Sequence, residues 1–201
     1  MGHLNSRNYA RLAERLGQYV PGAYVSEVLE KILEHLVDER EAHLCSLMPL
    51  RKVPAETMAR MWDMGPEEAS EILVRLSRKG VVVEYDEGDR KLYVLAPPVL
   101  GFVEFSLMRV RDDLDAKQLS ELYYQYCQVE GEFIQQQGSG HPALSRVFPA
   151  DDMLEGVTSE VLSYDRVSVG IDNATCITVG MCYCRHKKEH LGMACDATMD
   201  A

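Results

Sequence analysis

Pro54-Ala-Glu-Thr-Met-Ala-Arg-Met-Trp62-Asp-Met-Gly65-Pro66-Glu-Glu-Ala-Ser-Glu-Ile-Leu73-Val-Arg-Leu-Ser-Arg-Lys-Gly80-Val-Val-Val-Glu-Tyr-Asp-Glu-Gly88-Asp-Arg-Lys-Leu-Tyr-Val-Leu95 contains helix, turn, helix and hairpin in one run. Pro54 suits a helix start, where its missing N–H costs nothing, and Met58, Met61 and Trp62 recur on one face. Met64-Gly65-Pro66 makes a sharp turn, and Pro66 opens a second helix. Ala69, Ile72, Leu73 and Leu76 give that helix the i, i+3, i+4, i+7 stripe of a packed face, and Gly80 caps it. Val81–Tyr85 and Arg90–Leu95 read as strands around the acidic turn Asp86-Glu-Gly-Asp89. The pattern predicts a winged helix over roughly residues 25–96.

N-terminal to this run the chain reads as helices. Tyr9, Leu12, Leu16 and Tyr19 line one side of a short helix over Asn8–Tyr19, which Pro21-Gly22 ends. Ser26 is a predicted N-cap for a helix carrying Val28, Leu29, Ile32, Leu33, Leu36 and Val37 on one face. Asp38–Glu41 form an acidic first turn that complements a helix dipole. Ala42, Leu44, Cys45 and Leu47 follow, and Cys45 reads as a buried, inert thiol.

C-terminal to the hairpin, Val99–Arg111 is largely apolar and fits against either the winged helix or a second protomer, which makes a homodimer one expectation. A long helix is predicted from Leu114 or Asp115 to Gln135 or Gln137, with Leu119, Leu122, Tyr123, Tyr126 and Cys127 on its stripe. Gly138-Ser-Gly-His-Pro142 reads as a loop, without the strand-then-helix context of a phosphate loop. Val161–Ile171 and Thr175–Tyr183 are predicted strands around Asp172-Asn-Ala174. The expected fold class is α+β, mainly helical. Residues 1–98 form a helical and winged-helix-like domain, and residues 99–201 form a helical connector with a small C-terminal β and cysteine-rich region.

The chain has 201 residues, 46% hydrophobic and 26% charged, an ordinary composition for a globular protein. Its formal net charge of −11 argues against sequence-blind affinity for nucleic acid or anionic membrane. No apolar run is long enough to cross a bilayer, and Met-Gly-His-Leu-Asn-Ser-Arg7 lacks a signal-peptide core. Six cysteines without a leader point to a reducing cytoplasm, where thiols serve as ligands or stay buried. The winged helix invites a DNA reading, which its charges oppose. Glu67, Glu68 and Glu71 open the second helix, where a recognition helix meets base edges, and Asp86, Glu87 and Asp89 occupy the wing tip. Arg51 to Lys91 holds eight Lys or Arg against nine Asp or Glu, a balance of −1 with no basic stripe. Nucleic acid is therefore not an expected partner.

Chemistry concentrates near the C-terminus, in Cys182-Tyr-Cys184-Arg-His186-Lys-Lys-Glu-His190-Leu-Gly192-Met-Ala-Cys195. Thiolates and imidazoles are the soft metal ligands of proteins, and this density exceeds what packing needs. On a strand, Cys182 and Cys184 share a face with Cys176. Cys176 is a weaker candidate, because six residues of strand span roughly 20 Å. A helical turn or two from His186 to His190, stopped at Gly192, returns Cys195 toward the pair. Three readings stand: an iron–sulfur cluster on thiolates, zinc completed by His186 and His190 at i, i+4, or unligated thiols. Cys-x-Cys fits the usual zinc knuckle less well than Cys-x2-Cys does.

Cys182-Tyr-Cys184-Arg185 followed by Gly192-Met-Ala-Cys195-Asp-Ala resembles a motif of 4Fe-4S ferredoxin-type proteins of anaerobic bacteria. Those proteins join an N-terminal winged-helix-like region to Cys-x-Cys-Arg…Gly-x-x-Cys-x-x-Pro-x-x-x-Cys and then ferredoxin repeats. Leu44–Pro54, Ala96–Asp113 and Gly131–Pro149 are similar to that family as well, so the resemblance spans nearly the whole chain. Thr198 stands where the family has proline, the sequence stops at Ala201 before the fourth cysteine, and the repeats are absent. The resemblance implies a 4Fe-4S cluster on Cys182, Cys184 and Cys195, and a chain that is the front part of a longer one. It also implies electron exchange with a redox partner protein, so the chain is expected to be an electron-transfer component rather than a stand-alone enzyme. A winged-helix regulator with a redox- or metal-sensing site, and an interaction module with structural zinc, are the alternatives. No Ser-His-Asp set, phosphate loop or paired carboxylates with an evident role accompanies the cysteines.

Overall fold

The computed structural model describes residues 5–138 and 164–194. Helices α1 (Asn5–Gly17), α2 (Glu27–Leu36) and α3 (Glu39–Ser46) lead into β1 (Val53–Pro54), α4 (Ala55–Trp62) and α5 (Pro66–Arg78). Strands β2 (Val82–Glu87) and β3 (Arg90–Leu95) follow, and the sheet order is β1-β3-β2, antiparallel throughout. The fold is α+β and mainly helical, and the helix, turn, helix and hairpin predicted over 54–95 are present as α4, α5, β2 and β3.

Local chemistry sets these boundaries. Ser26 caps α2 by accepting from the Leu29 N–H at 3.2 Å. Asp38 and Glu41 form a reciprocal capping box at the start of α3. At the end of α5, Val81 N–H donates to Leu76 O and Gly80 N–H to Ser77 O, the two bonds of a Schellman motif. Gly80 has φ +79°, and a Cβ there would lie 2.9 Å from the Phe105 backbone, so both backbone angle and space require glycine. The hairpin closes through Gly88-Asp89, with Gly88 at φ +61° in the left-handed region that a tight two-residue turn demands.

The α5 stripe is buried as predicted: Ala69, Ile72, Leu73 and Leu76 all lie in the core. In α4 the inner face is Met58, Ala59 and Trp62, and the Trp62 indole donates to Leu44 O at 3.0 Å. Met61 was expected inside and is instead 47% exposed, because the one-residue step from Trp62 turns it away from α5.

After β3 a π-helical turn, Pro98–Phe102, runs into α6 (Val103–Phe105). Phe102, Val103 and Leu107 enter the same core, so this segment packs against the chain's own helices and hairpin. The single long helix expected over 115–137 is three pieces: α7 (Ala116–Tyr124), a π-helical stretch Gln125–Glu130, and α8 (Glu132–Gly138). The wider π turn brings Tyr126 and Cys127 inward together, and Gly131 at φ +78° breaks the axis. Tyr123 shares a hydrogen bond of 2.7 Å with the Ser106 hydroxyl, and the Tyr126 hydroxyl donates to Tyr24 O at 2.8 Å. These buried tyrosines serve the core, whereas Tyr124 is 38% exposed.

The largest correction concerns the C-terminal region. Tyr164–Asp172 is a helix, α9, and the described residues of the second expected strand, 175–181, form no ladder. Their alternating apolar side chains find no sheet edge: Ile177 and Val179 are 61% and 79% exposed, and Met181 N–H donates to Met108 O at 2.9 Å. Alternation marks a strand only where a partner buries one face. Residues 161–163 and the 139–142 loop lie outside the described residues.

Among the described residues, Glu41 is the one buried acidic side chain. It accepts from Arg75 Nε at 2.8 Å, from Lys79 Nζ, and from the Asp38 N–H at 3.0 Å, tying α3 to the end of α5. Burial alone would raise its pKa, but the hydrogen bonds from Lys79, Arg75 and the Asp38 backbone outweigh it and hold the carboxyl below its ordinary 4.5. The unfolded chain therefore takes up this proton at higher pH than the folded one. Its contribution to stability is complete above 4.5 and is lost as pH falls through the folded-state value. The thermal midpoint is expected to drop on acidification below that point, and Glu41→Gln should flatten this part of the profile while lowering stability at neutral pH.

Candidate metal centre

Helix α10 (Tyr183–His190) carries the predicted ligands. Cys182 is its N-cap residue, with extended backbone (φ −67°, ψ 110°) and no side-chain cap bond, and Cys184 is its second residue. The two thiols were expected on one face of a strand end. On a helix, residues two apart do not face each other, so that same-face argument fails. Helix wins because Tyr183, His186 and Lys187 recur at helical spacing and face α6 and α7, where they find burial.

Cys182 and Cys184 are exposed, and so is Cys176. Thiols at this end of α10 stand at the positive pole of the helix, a favourable place for anionic sulfur ligands. Cys195 lies outside the described residues. Among the described residues, no three His, Cys, Asp or Glu side chains come together as a metal-binding group. Burial, with the Cys184 thiol hydrogen-bonded beside it, pushes the Tyr183 phenol well above its usual value.

His186 and His190 meet each other. His186 is buried, its Nδ1 donates to Leu107 O at 2.8 Å, and its Nε2 stands 3.0 Å from His190 Nε2. A carbonyl only accepts, so Nδ1 carries a proton and donates to Leu107 O, and the Nε2 atoms of the two rings face each other. The rings are tilted at 49° with centroids 4.8 Å apart. The i, i+4 spacing made this pairing legible, whereas the Leu107 carbonyl that orients it carries no side-chain signal.

The remaining described cysteines differ in kind. Cys45 is fully buried, and desolvation drives its thiol far above the normal range. Burial likewise raises Cys127 to about 11, against the opposing pull of Lys187. Both are inert thiols. No protein-family model, curated protein or solved structure matches the chain.

Proposed function

We propose that the chain is an iron–sulfur electron-transfer protein, or the cluster-bearing front portion of one. Cys182, Cys184 and Cys195 supply the thiolates, and a redox partner protein supplies or takes the electron. The observation that carries the reading is the pair of exposed thiols at the head of α10, with Cys176 exposed six residues before Cys182, whereas Cys45 and Cys127 are buried and inert. The bound cluster would provide the redox chemistry. The chain's residues would hold it and adjust its potential through burial and hydrogen bonding, with Tyr183 and Arg185 beside the sulfurs. Anaerobic purification followed by iron, sulfide and zinc analysis with visible absorption tests this. Iron and sulfide together in a coloured protein are expected, and a colourless, iron-free protein after anaerobic reconstitution would refute it.

A structural zinc is the second reading, favoured by the His186–His190 pair. A backbone carbonyl holding Nδ1 while Nε2 is turned toward the Nε2 of a second histidine is an orientation that zinc-binding histidines use. Stoichiometric zinc without iron would select it.

The winged-helix shape does not by itself carry DNA binding. Glu67, Glu68 and Glu71 are exposed on α5, while Lys91 pairs with Glu84 and Lys52 with Glu87 on the wing. Duplex binding is expected at nonspecific strength only, fading as salt rises. Sequence-selective binding that survives physiological salt and depends on Arg75, Arg78 or Arg90 would establish the regulator reading instead.

A further inference from the structure

Five cationic side chains, Arg75, Arg78, Lys79, Arg109 and Arg111, surround a cleft of about 360 Å3 at the end of α5, with Asp113 the one carboxylate among its lining residues. In a chain of net charge −11 such a concentration is unexpected. Three of the five cations are already committed. Arg75 and Lys79 are held by Glu41, and Arg111 grips Asp113 with two bonds of 2.7 and 2.9 Å. Arg78 and Arg109 have no carboxylate partner among the described residues. The same two arginines also line a second cleft of about 450 Å3, whose walls include Val82, Val83, Phe105, Met108 and Val179, together with Glu84, whose carboxylate is paired with Lys91. Ser77, whose buried hydroxyl finds no hydrogen-bond partner among the described residues, lines it too.

We propose that Arg78 and Arg109 join these two clefts into one binding site for a small phosphorylated molecule with an apolar or planar body. The guanidinium groups would bind the phosphate from the cationic side, where their planar donor forks match its oxygens. The body would lie in the second cleft, against Val82, Val83 and Met108. Arrangement around the patch selects a compact ligand over a polymer. Glu67 and Glu71 lie along α5 on one side, and Glu34, Asp38 and Glu39 line the cleft that adjoins Lys79 and Arg111 on the other. A nucleic-acid backbone crossing the arginines would meet these carboxylates, whereas a single phosphorylated molecule in the clefts would meet only Asp113 and Glu84, already paired with Arg111 and Lys91. The apolar cleft is also walled by Thr178–Gly180, two residues before Cys182, which places the ligand beside the thiol-bearing segment. The site does not depend on whether a cluster binds there.

Calorimetric titration of the full chain with ATP, pyrophosphate, adenosine and a DNA duplex at low salt is the test. ATP is expected to bind saturably and at least about tenfold more tightly than pyrophosphate or adenosine. Arg78→Gln/Arg109→Gln should weaken ATP at least about tenfold, while Arg90→Gln on the wing leaves it unchanged. Should the double variant misfold, Arg109→Glu alone, on the exposed segment after α6, carries the same expectation. Absence of saturable ATP binding, binding indifferent to these arginines, pyrophosphate binding as tightly as ATP, or a duplex binding more tightly than ATP would each overturn the proposal.

Discussion

Cys182→Ser and Cys184→Ser are each expected to abolish bound iron, whereas Cys45→Ser and Cys127→Ser leave it in place. The contrast rests on where the sulfurs sit. Cys45 and Cys127 are buried among apolar side chains with their thiols pushed toward the protonated form, and a metal ligand must be a thiolate. Cys182 and Cys184 face solvent at the head of α10. A serine oxygen is a hard, weakly acidic donor that does not replace a soft thiolate. Iron and sulfide per chain, measured after anaerobic reconstitution of each variant, should therefore divide the four into two classes. Iron content that survives both Cys182→Ser and Cys184→Ser would end the cluster proposal. The coupled variants His186→Ala and His190→Ala separate the two metals: they should leave iron unchanged, while loss of stoichiometric zinc in them would move the site to the histidine pair.

The N-terminal fold was legible in the sequence because each boundary there has a local cause. Ser26, Asp38, Pro66 and Gly80 are capping residues whose roles follow from side chain and backbone alone, and the Ile72–Leu76 stripe needs only a periodicity. The C-terminal region is not legible in this way, because its cues depend on partners. The alternation of Thr175, Ile177 and Val179 is a strand signal only beside an open sheet edge, and the three-stranded sheet ends at β2 without accepting it. Helix α10 is decided by Tyr183, His186 and Lys187 finding burial near α6 and α7, contacts more than fifty residues away in sequence. The π-helical stretch at Gln125–Glu130 is similarly a tertiary effect, burying Tyr126 beneath Tyr24. In the candidate site, residue types and spacing were readable, but side-chain direction was not, since it changes completely between strand and helix. The arginine cleft gathers α5 with residues 109–113, and no local window contains both.

Leu73→Ala is expected to cost about 2–5 kcal/mol in unfolding free energy. Leu73 is fully buried in α5, within the cluster that also contains Ile32, Leu33, Met58 and Trp62. Two effects oppose each other at this position. Alanine is the better helix former, a gain of at most a few tenths of a kcal/mol. Against it stand the lost transfer energy of three carbons and the cavity they leave, and in a core closed by Trp62, anchored to Leu44 O, the surroundings have little freedom to collapse. The cavity term wins by roughly tenfold. For a domain whose total stability is about 5–15 kcal/mol, the loss would move the midpoint of urea unfolding well outside experimental error. Met61→Ala supplies the internal control: one helix earlier and half exposed, it should change stability by about 0.5 kcal/mol or less. Equal midpoints for Leu73→Ala and Met61→Ala would mean that α5 does not present this face to the core, and the winged-helix packing would fall with it.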